Sequence, residues 1–303
     1  MRLLTIGVGF RGAKIVENFF RRGVKVNGVP LFKCFAVLGN EAQIGSVAMK
    51  DDRKFYIHSR KGVLGFVNSI TKVCELWEGA LVVLSLEDEY ALEIAVELNE
   101  RIREVFEDPI ITLSLIPALG EVDAIELKRK ILELRKRSDV LLVFEGNVGV
   151  DEKILRSMNL LALAGEVDLK RKVAGEVVVD TSDVFNALKS DGFSVIAFSE
   201  QKIPFEIFRK KSGLKAMRTK RMLELFDKAL ENLSIRARIE DAKSSLVLFA
   251  GPKEEITMEG LFEVIDRLEK MNSGIEIRYG DCPTGGRKVS IVLLFSGLKT
   301  LKF

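Results

Sequence analysis

Three groups of residues in this 303-residue chain are of types and spacings that do chemistry. Gly7, Gly9 and Gly12 form a G-x-G-x-x-G turn, with Arg11 and Lys14 beside it. Asp180 and Asp183 make a carboxylate pair. Arg209, Lys210, Lys211, Lys215, Arg218, Lys220 and Arg221 put seven bases and no acid into residues 208–222. Glycines between a strand and a helix let the backbone approach an anion, and the helix start offers unpaired N–H groups. That chemistry suits a phosphate or a dinucleotide. The same glycines also serve as a plain tight turn. The acid that holds a ribose is expected about 20 residues on. Glu41, in Leu38-Gly39-Asn40-Glu41, falls late for that role. A carboxylate pair positions water or a cation, or caps a helix. The basic run faces solvent, or meets an acidic partner or an anionic surface. Only Phe205 and Phe208 accompany it, too few for a single-strand stacking platform, so no specific nucleic-acid partner is expected.

Composition removes other classes. Lys and Arg number 47 against 44 Asp and Glu, and a net charge of +3 gives no whole-chain field to attract nucleic acid. His58 is the sole histidine, and Cys34, Cys74 and Cys282 are far apart, so no metal site or histidine-based triad is expected. An odd, sparse cysteine set fits a reducing cytoplasm. One histidine beside abundant Lys and Glu points towards a thermophile. The longest apolar runs, such as Val289–Leu298, are too short to span a bilayer. Met1-Arg2-Leu3-Leu4 runs straight into a strand, which predicts no signal peptide.

The first half alternates short apolar strands with amphipathic helices. Strands are expected at Leu3–Val8, Phe32–Leu38, Phe55–His58, Ala80–Leu86, Ile110–Ile116 and Val140–Phe144. Helices are expected at Ala13–Arg22, Leu64–Trp77, Asp88–Phe106 and Val122–Lys136. That rhythm predicts an α/β fold with a parallel sheet covered on both faces. Glu152–Val167 reads as one long helix. After it, strands at Glu176–Val179, Phe193–Ser199, Ser245–Ala250, Ile275–Tyr279 and Lys288–Phe295 mix with helices at Ser182–Lys189, Lys220–Leu233 and Met258–Met271. Cys282-Pro283-Thr284-Gly285-Gly286 reads as a hairpin connection between the last two strands. The second half is thus a smaller mixed sheet with helices.

Several segments, in order, resemble the FtsZ/tubulin superfamily of GTPases. Ile6-Gly7-Val8-Gly9-x-x-Gly12 is similar to its first phosphate loop. Phe35-Ala36-Val37-Leu38-Gly39-Asn40-Glu41-Ala42-Gln43 is similar to its second strand and loop, and Glu78-Gly79-Ala80-Leu81-Val82-Val83 to the strand that follows. Ser138–Val143 with Glu145-Gly146-Asn147 resembles the strand and loop before the central helix. Val179-Asp180-Thr181-Ser182-Asp183-Val184 resembles the acidic loop, and Val289–Gly297 the last core strand. The resemblance implies a Rossmann-like GTPase-type domain over 1–149, a central helix and acidic loop over 150–180, and a C-terminal domain with a four-stranded sheet over 181–303. It also implies that Gly7, Gly9, Gly12, Asn40, Asn147 and Asn159 line a nucleotide site, with Arg11 and Lys14 available to an anion. Asp180 and Asp183 would enter a neighbouring subunit's site and position water or its cation.

The departures weigh against a working pocket. Where the superfamily carries G-G-G-T-G-T-G, this chain reads Ser85-Leu86-Glu87-Asp88-Glu89-Tyr90, with no glycine and three acids. Ser85-x-x-Asp88 reads as its own capping box, which satisfies the helix start internally. The expected function is an FtsZ/tubulin-like cytoskeletal or cell-division protein with a degenerate nucleotide site and no cofactor, partnered by itself or by a true FtsZ-type subunit. One alternative is an active, polymerising GTPase using GTP or GDP with Mg²⁺. The other is an NAD(P)-dependent oxidoreductase built on the glycine turn.

Overall fold

A computed structural model of the chain describes residues 1–71, 77–117, 123–166, 175–204 and 213–300. The chain divides into two units between Leu155 and Arg156. The first holds β1 (Leu3–Val8), α1 (Gly9–Arg22), β2 (Lys25–Val26), β3 (Val29–Pro30), β4 (Phe32–Leu38), β5 (Lys54–Tyr56), α2 (Lys61–Thr71), β6 (Gly79–Ser85), α3 (Glu89–Val105), β7 (Ile110–Ile116), α4 (Ala124–Arg135) and β8 (Val140–Glu145). Helix α5 (Val150–Leu163) crosses the division. The second unit holds α6 (Thr181–Leu188), β9 (Phe193–Lys202), α7 (Leu214–Leu230), β10 (Ser244–Gly251), α8 (Met258–Met271), β11 (Glu276–Pro283) and β12 (Lys288–Leu298).

In the first unit the strands run β5-β4-β1-β6-β7-β8, all parallel. Every residue of β1, β4, β6 and β7 is buried, as a parallel sheet covered on both faces requires. At the centre Ile6 pairs with Phe35 on one side and Val82 on the other. The chain steps from β1 out to β4 and β5, returns to β6, and then steps the other way to β7 and β8. Right-handed crossovers therefore put α1 and α3 on opposite faces. The chain leaves the neighbouring strands β1 and β6 in opposite directions, which makes their carboxyl ends the place where such sheets take ligands.

The second unit has the order β9-β12-β10-β11. β12 is antiparallel to both its neighbours, and β10 and β11 are parallel. This is the smaller mixed sheet that the sequence predicts.

Some expectations need correction. Glu176–Val179 is not a strand. The Val177 N–H goes to the Asp281 carboxylate at 2.7 Å and the Asp281 N–H to the Val177 carbonyl at 3.0 Å, a single link at the edge of β11 and not a ladder. Residues 282–286 do not close a hairpin, because β10 lies between β11 and β12. Helix α7 begins at Leu214, not Lys220, so the basic run is in part helix. Helix α5 ends at Leu163 and the chain turns at Ala164–Gly165, so the helix stops short of the expected Val167; Val167 itself and residues 72–76 after α2 lie outside those described. The hairpin β2–β3 was not expected. Its signal was Asn27-Gly28, both at positive φ (52° and 84°), the pair that a two-residue hairpin turn demands.

Candidate functional site

The glycine turn sits where β1 feeds α1, and two of its glycines are there for packing. A Cβ on Gly7 would stand 2.4 Å from the Gly12 carbonyl oxygen, and one on Gly12 would stand 2.2 Å from that of Val83 in β6. Gly9 has φ +70°, and a Cβ there would meet the Asp88 carboxylate at 2.5 Å. Asp88 is the residue before α3. Its other oxygen accepts the Ala91 N–H at 3.2 Å, so one carboxylate caps α3 and lies against the bare face of Gly9. The cap is therefore Asp88 itself, and Ser85-x-x-Asp88 is not a capping box. Ser85 ends β6, three residues before the cap position, and its hydroxyl donates to Glu87 at 3.3 Å. Val8, the residue before α1, makes no side-chain cap to its N–H groups.

The other two acids of this turn are also engaged or nearby. Glu89 pairs with Lys130 of α4, which also donates to the Leu86 carbonyl at 3.0 Å and meets Glu126 at 3.3 Å. Burial works to lower the Lys130 ammonium, and these two carboxylates outweigh it and raise it. Next to Asp88, Tyr90 lays its ring over Gly39 at the end of β4 and donates to the Ile57 carbonyl at 2.6 Å. Burial, then Asp88 and Tyr56, push the Tyr90 hydroxyl above its ordinary range.

The two bases at the turn have carboxylates of their own. Arg11 grips Asp151 of α5 with both terminal nitrogens, one of them at 2.9 Å. Lys14 holds Glu17 at 2.6 Å and donates to the Ser46 carbonyl at 3.2 Å. Glu17 is buried and also accepts the Ala48 N–H at 3.1 Å. Burial works to raise the Glu17 carboxyl, and Lys14, Ala48 and Arg21 outweigh it and hold it below its ordinary value. A carboxyl lowered in the fold stabilises above its unfolded value, about 4.3, and that contribution is lost as pH falls through the folded value. Glu17→Gln is therefore expected to be less stable than the parent at neutral pH, with the gap closing below about pH 4 in urea unfolding series.

The remaining first-unit candidates lie at the carboxyl ends of neighbouring strands. Asn40 follows β4 and accepts the Ala42 N–H at 3.0 Å as the cap of a short 3₁₀ turn. Asn147 follows β8 in the exposed loop 146–149, its carbonyl accepting the Val150 N–H at 3.2 Å. The fold thus brings the glycine turn, Asn40, residues 86–89 and Asn147 to one rim of the sheet. Sequence reasoning missed Tyr90 and Asp151. Neither carries a local signal, because Asp151 is 140 residues from Arg11.

In the second unit Asn159 is half-buried on α5. Asp180 and Asp183 form a complete capping box on α6. The Asp183 N–H reaches Asp180 at 2.8 Å and the Asp180 N–H reaches Asp183 at 3.2 Å, with Arg278 Nε 3.8 Å from Asp183. Four of the seven bases find acids within the unit. Lys215 pairs with Glu259, Arg218 and Arg221 with Glu255, and Lys220 stands 3.9 Å from Glu224. Arg209, Lys210 and Lys211 lie outside the described residues. Cys34 and Cys282 are free thiols, and Cys74 lies outside the described residues. Burial, with Asp281, pushes the Cys282 thiol up to about 11. Among the described residues no three of His, Cys, Asp and Glu gather as a metal ion would need, and no helix is long and apolar enough to cross a membrane.

A parallel sheet with a glycine turn at its switch point, then a central helix, then a four-stranded mixed sheet is the architecture of the FtsZ/tubulin superfamily. Solved structures agree. CetZ1 from Haloferax volcanii, a GDP-bound monomer, has a TM-score of 0.80 at 22% identity, covering 99% of this chain and 96% of that one. CetZ2 from the same organism, a GTPγS-bound protofilament, has a TM-score of 0.77 at 20% identity over 100% and 95%. An FtsZ dimer from M. jannaschii has a TM-score of 0.72 at 16% identity over 100% and 93%. In sequence, CetZ1 is 26% identical over 98% of this chain and 88% of its own length. Residues 143–302 match the family model described as tubulin-like CetZ, C-terminal domain. The chain belongs to the tubulin-like CetZ family.

Proposed function

We propose that this chain is a cytoplasmic, cytoskeletal CetZ relative that acts structurally or by modulating filaments, with a nucleotide site too degenerate to hold GTP. The observation that carries this reading is the Asp88 carboxylate seated against Gly9, at the strand junction where a phosphate would have to come. Two more acids adjoin it, and Arg11 and Lys14 are already engaged with Asp151 and Glu17. Like charges near 4 Å repel by roughly 1–4 kcal/mol at surface-like dielectric. A few such terms remove most of the ~8 kcal/mol behind micromolar affinity. The residues present therefore do not fit a nucleoside triphosphate with Mg²⁺.

The acidic turn Asp180–Asp183 at the start of α6, with Asp180 exposed, supports a role toward a nucleotide-bearing relative, whose site it would approach in a mixed filament. A second reading is an active GTPase. It draws on the start of α1, where Val8 makes no side-chain cap, and on relatives solved with GDP and GTPγS. Calorimetric titration with GTP, GDP, NAD and NADP in Mg²⁺ separates the readings. No heat with any of the four is expected. Micromolar GTP binding would sink the degenerate-site reading, and NAD(P) binding would bring back the oxidoreductase. Co-sedimentation with a polymerising CetZ tests the filament role, and Asp180→Asn/Asp183→Asn is expected to weaken that association.

A further inference from the structure

The first unit carries two rows of opposite charge side by side. Helices α3 and α4 follow successive parallel strands, so right-handed crossovers lay them next to each other on one face of the sheet. On α3, Glu89, Glu93, Glu97, Glu100 and Glu104 recur every three or four residues and share a stripe. On α4 and its cap, Ile125, Lys128, Arg129, Leu132 and Lys136 do the same. Ile125 is 81% exposed and Leu132 51%, and they share the α4 stripe instead of being scattered. Lys128 and Lys136 are exposed, and among the described residues neither has an ion-pair partner. Lys130 meets Glu89, and Arg137 meets Glu100 at 2.6 Å, which brackets the relative heights of the two rows; Glu93 also meets Arg60, and Glu97 and Glu104 meet Arg101. Against those two pairs Lys128 falls nearest Glu89, one turn before Glu93, and Lys136 nearest Glu97.

We propose that this face binds a second copy of the chain about a two-fold axis running along the seam between α3 and α4. Such an axis preserves height along the helices and exchanges the rows. Each copy's basic row then faces the other's acidic row, and each contact occurs twice. Ile125 and Leu132 leave water at the same seam. Charge complementarity chooses the occupant: the face sets an acidic row beside a basic one, so it matches itself better than it matches a uniformly acidic or basic partner. With two aliphatic residues per copy it belongs to the weak interfaces, below about 1,200 Å² of buried surface.

Sedimentation velocity of the whole chain between about 10 μM and 1 mM is expected to show mass rising towards a dimer, less so in high salt. Lys128→Glu is expected to weaken association by about tenfold, since the lost pair counts twice. Glu93→Lys, which also gives up its 2.8 Å pair with Arg60, is expected to weaken it likewise. Lys128→Glu with Glu93→Lys is expected to restore it, because the reversed charges meet across the axis. Both side chains are exposed, and circular dichroism confirms that each variant folds. A parent chain that stays monomeric throughout overturns the proposal. So does Lys128→Glu with unchanged association, which would place self-contact on another face. A double variant as weak as the singles overturns it too.

Discussion

Replacing Gly12 with alanine is expected to destabilise the first unit by about 3 kcal/mol and to lower its unfolding midpoint by roughly 10 °C. The new methyl would stand 2.2 Å from the Val83 carbonyl oxygen and 3.1 Å from its carbon. Both contacts are backbone, in the middle of β6, and neither can turn aside. Helix α1 must lift off the sheet to make room. The sign is informative, because glycine to alanine inside a helix ordinarily gains up to about 1 kcal/mol. Gly65 on α2 supplies the control, with nothing within 4 Å of its would-be Cβ. Gly65→Ala is expected to stabilise by about 0.5–1 kcal/mol. Scanning calorimetry of the two variants reads both signs. A Gly12→Ala chain that melts at or above the parent would refute the close seat of α1 on β6. The result also bears on the glycine turn, since Gly7 and Gly12 are explained by packing alone and only Gly9 is left to face a ligand or a carboxylate.

Removing the Glu255 carboxylate is the second large effect, at about 3–5 kcal/mol for Glu255→Ala. Its side chain is 4% exposed and holds Arg218 at 3.0 Å together with Arg221, itself only 7% exposed. Taking away the acid removes the carboxylate that Arg218 and the buried Arg221 share. Glu255→Leu with Arg221→Met, which takes both members of the buried pair out together, is expected to recover most of the loss. Lys215→Ala, in a pair whose members are 70% and 55% exposed, is expected to shift stability by less than about 0.5 kcal/mol. Urea unfolding of the three variants tests the ranking. A small loss for Glu255→Ala would mean that water reaches the pair.

The strands were legible because burial on both faces gives sharp-edged apolar runs. β1, β4 and β7 have the same limits in the sequence and in the fold. Helix α8 was legible for a related reason, since Thr257 caps it and its apolar stripe is regular. The start of α7 was not, because its first turns are basic and find their acids on Glu255 and Glu259, more than thirty residues on. A run of bases looks like open surface when its counter-charges are remote in sequence. The same limit applies at the site. The glycine turn and the carboxylates of residues 87–89 were plain, but not that Asp88 lies on Gly9 or that Asp151 holds Arg11. Those are contacts between strand ends, and pairing order, not spacing, brings them together. Asp88 as a single-residue cap, in place of a box begun by Ser85, turned on where β6 stops.

The place of β12 between β9 and β10 has a consequence for how the chain is made. The first unit's strands finish with β8 at Glu145, so its sheet can close while the ribosome is still adding later residues. The second unit cannot do the same. Its last-made strand is an inner one, and until Lys288–Leu298 emerges β9 has no neighbour to pair with among β10 and β11. Two apolar edges then wait uncovered for the length of that synthesis, and a nascent chain halted before residue 288 would be the form most prone to aggregate.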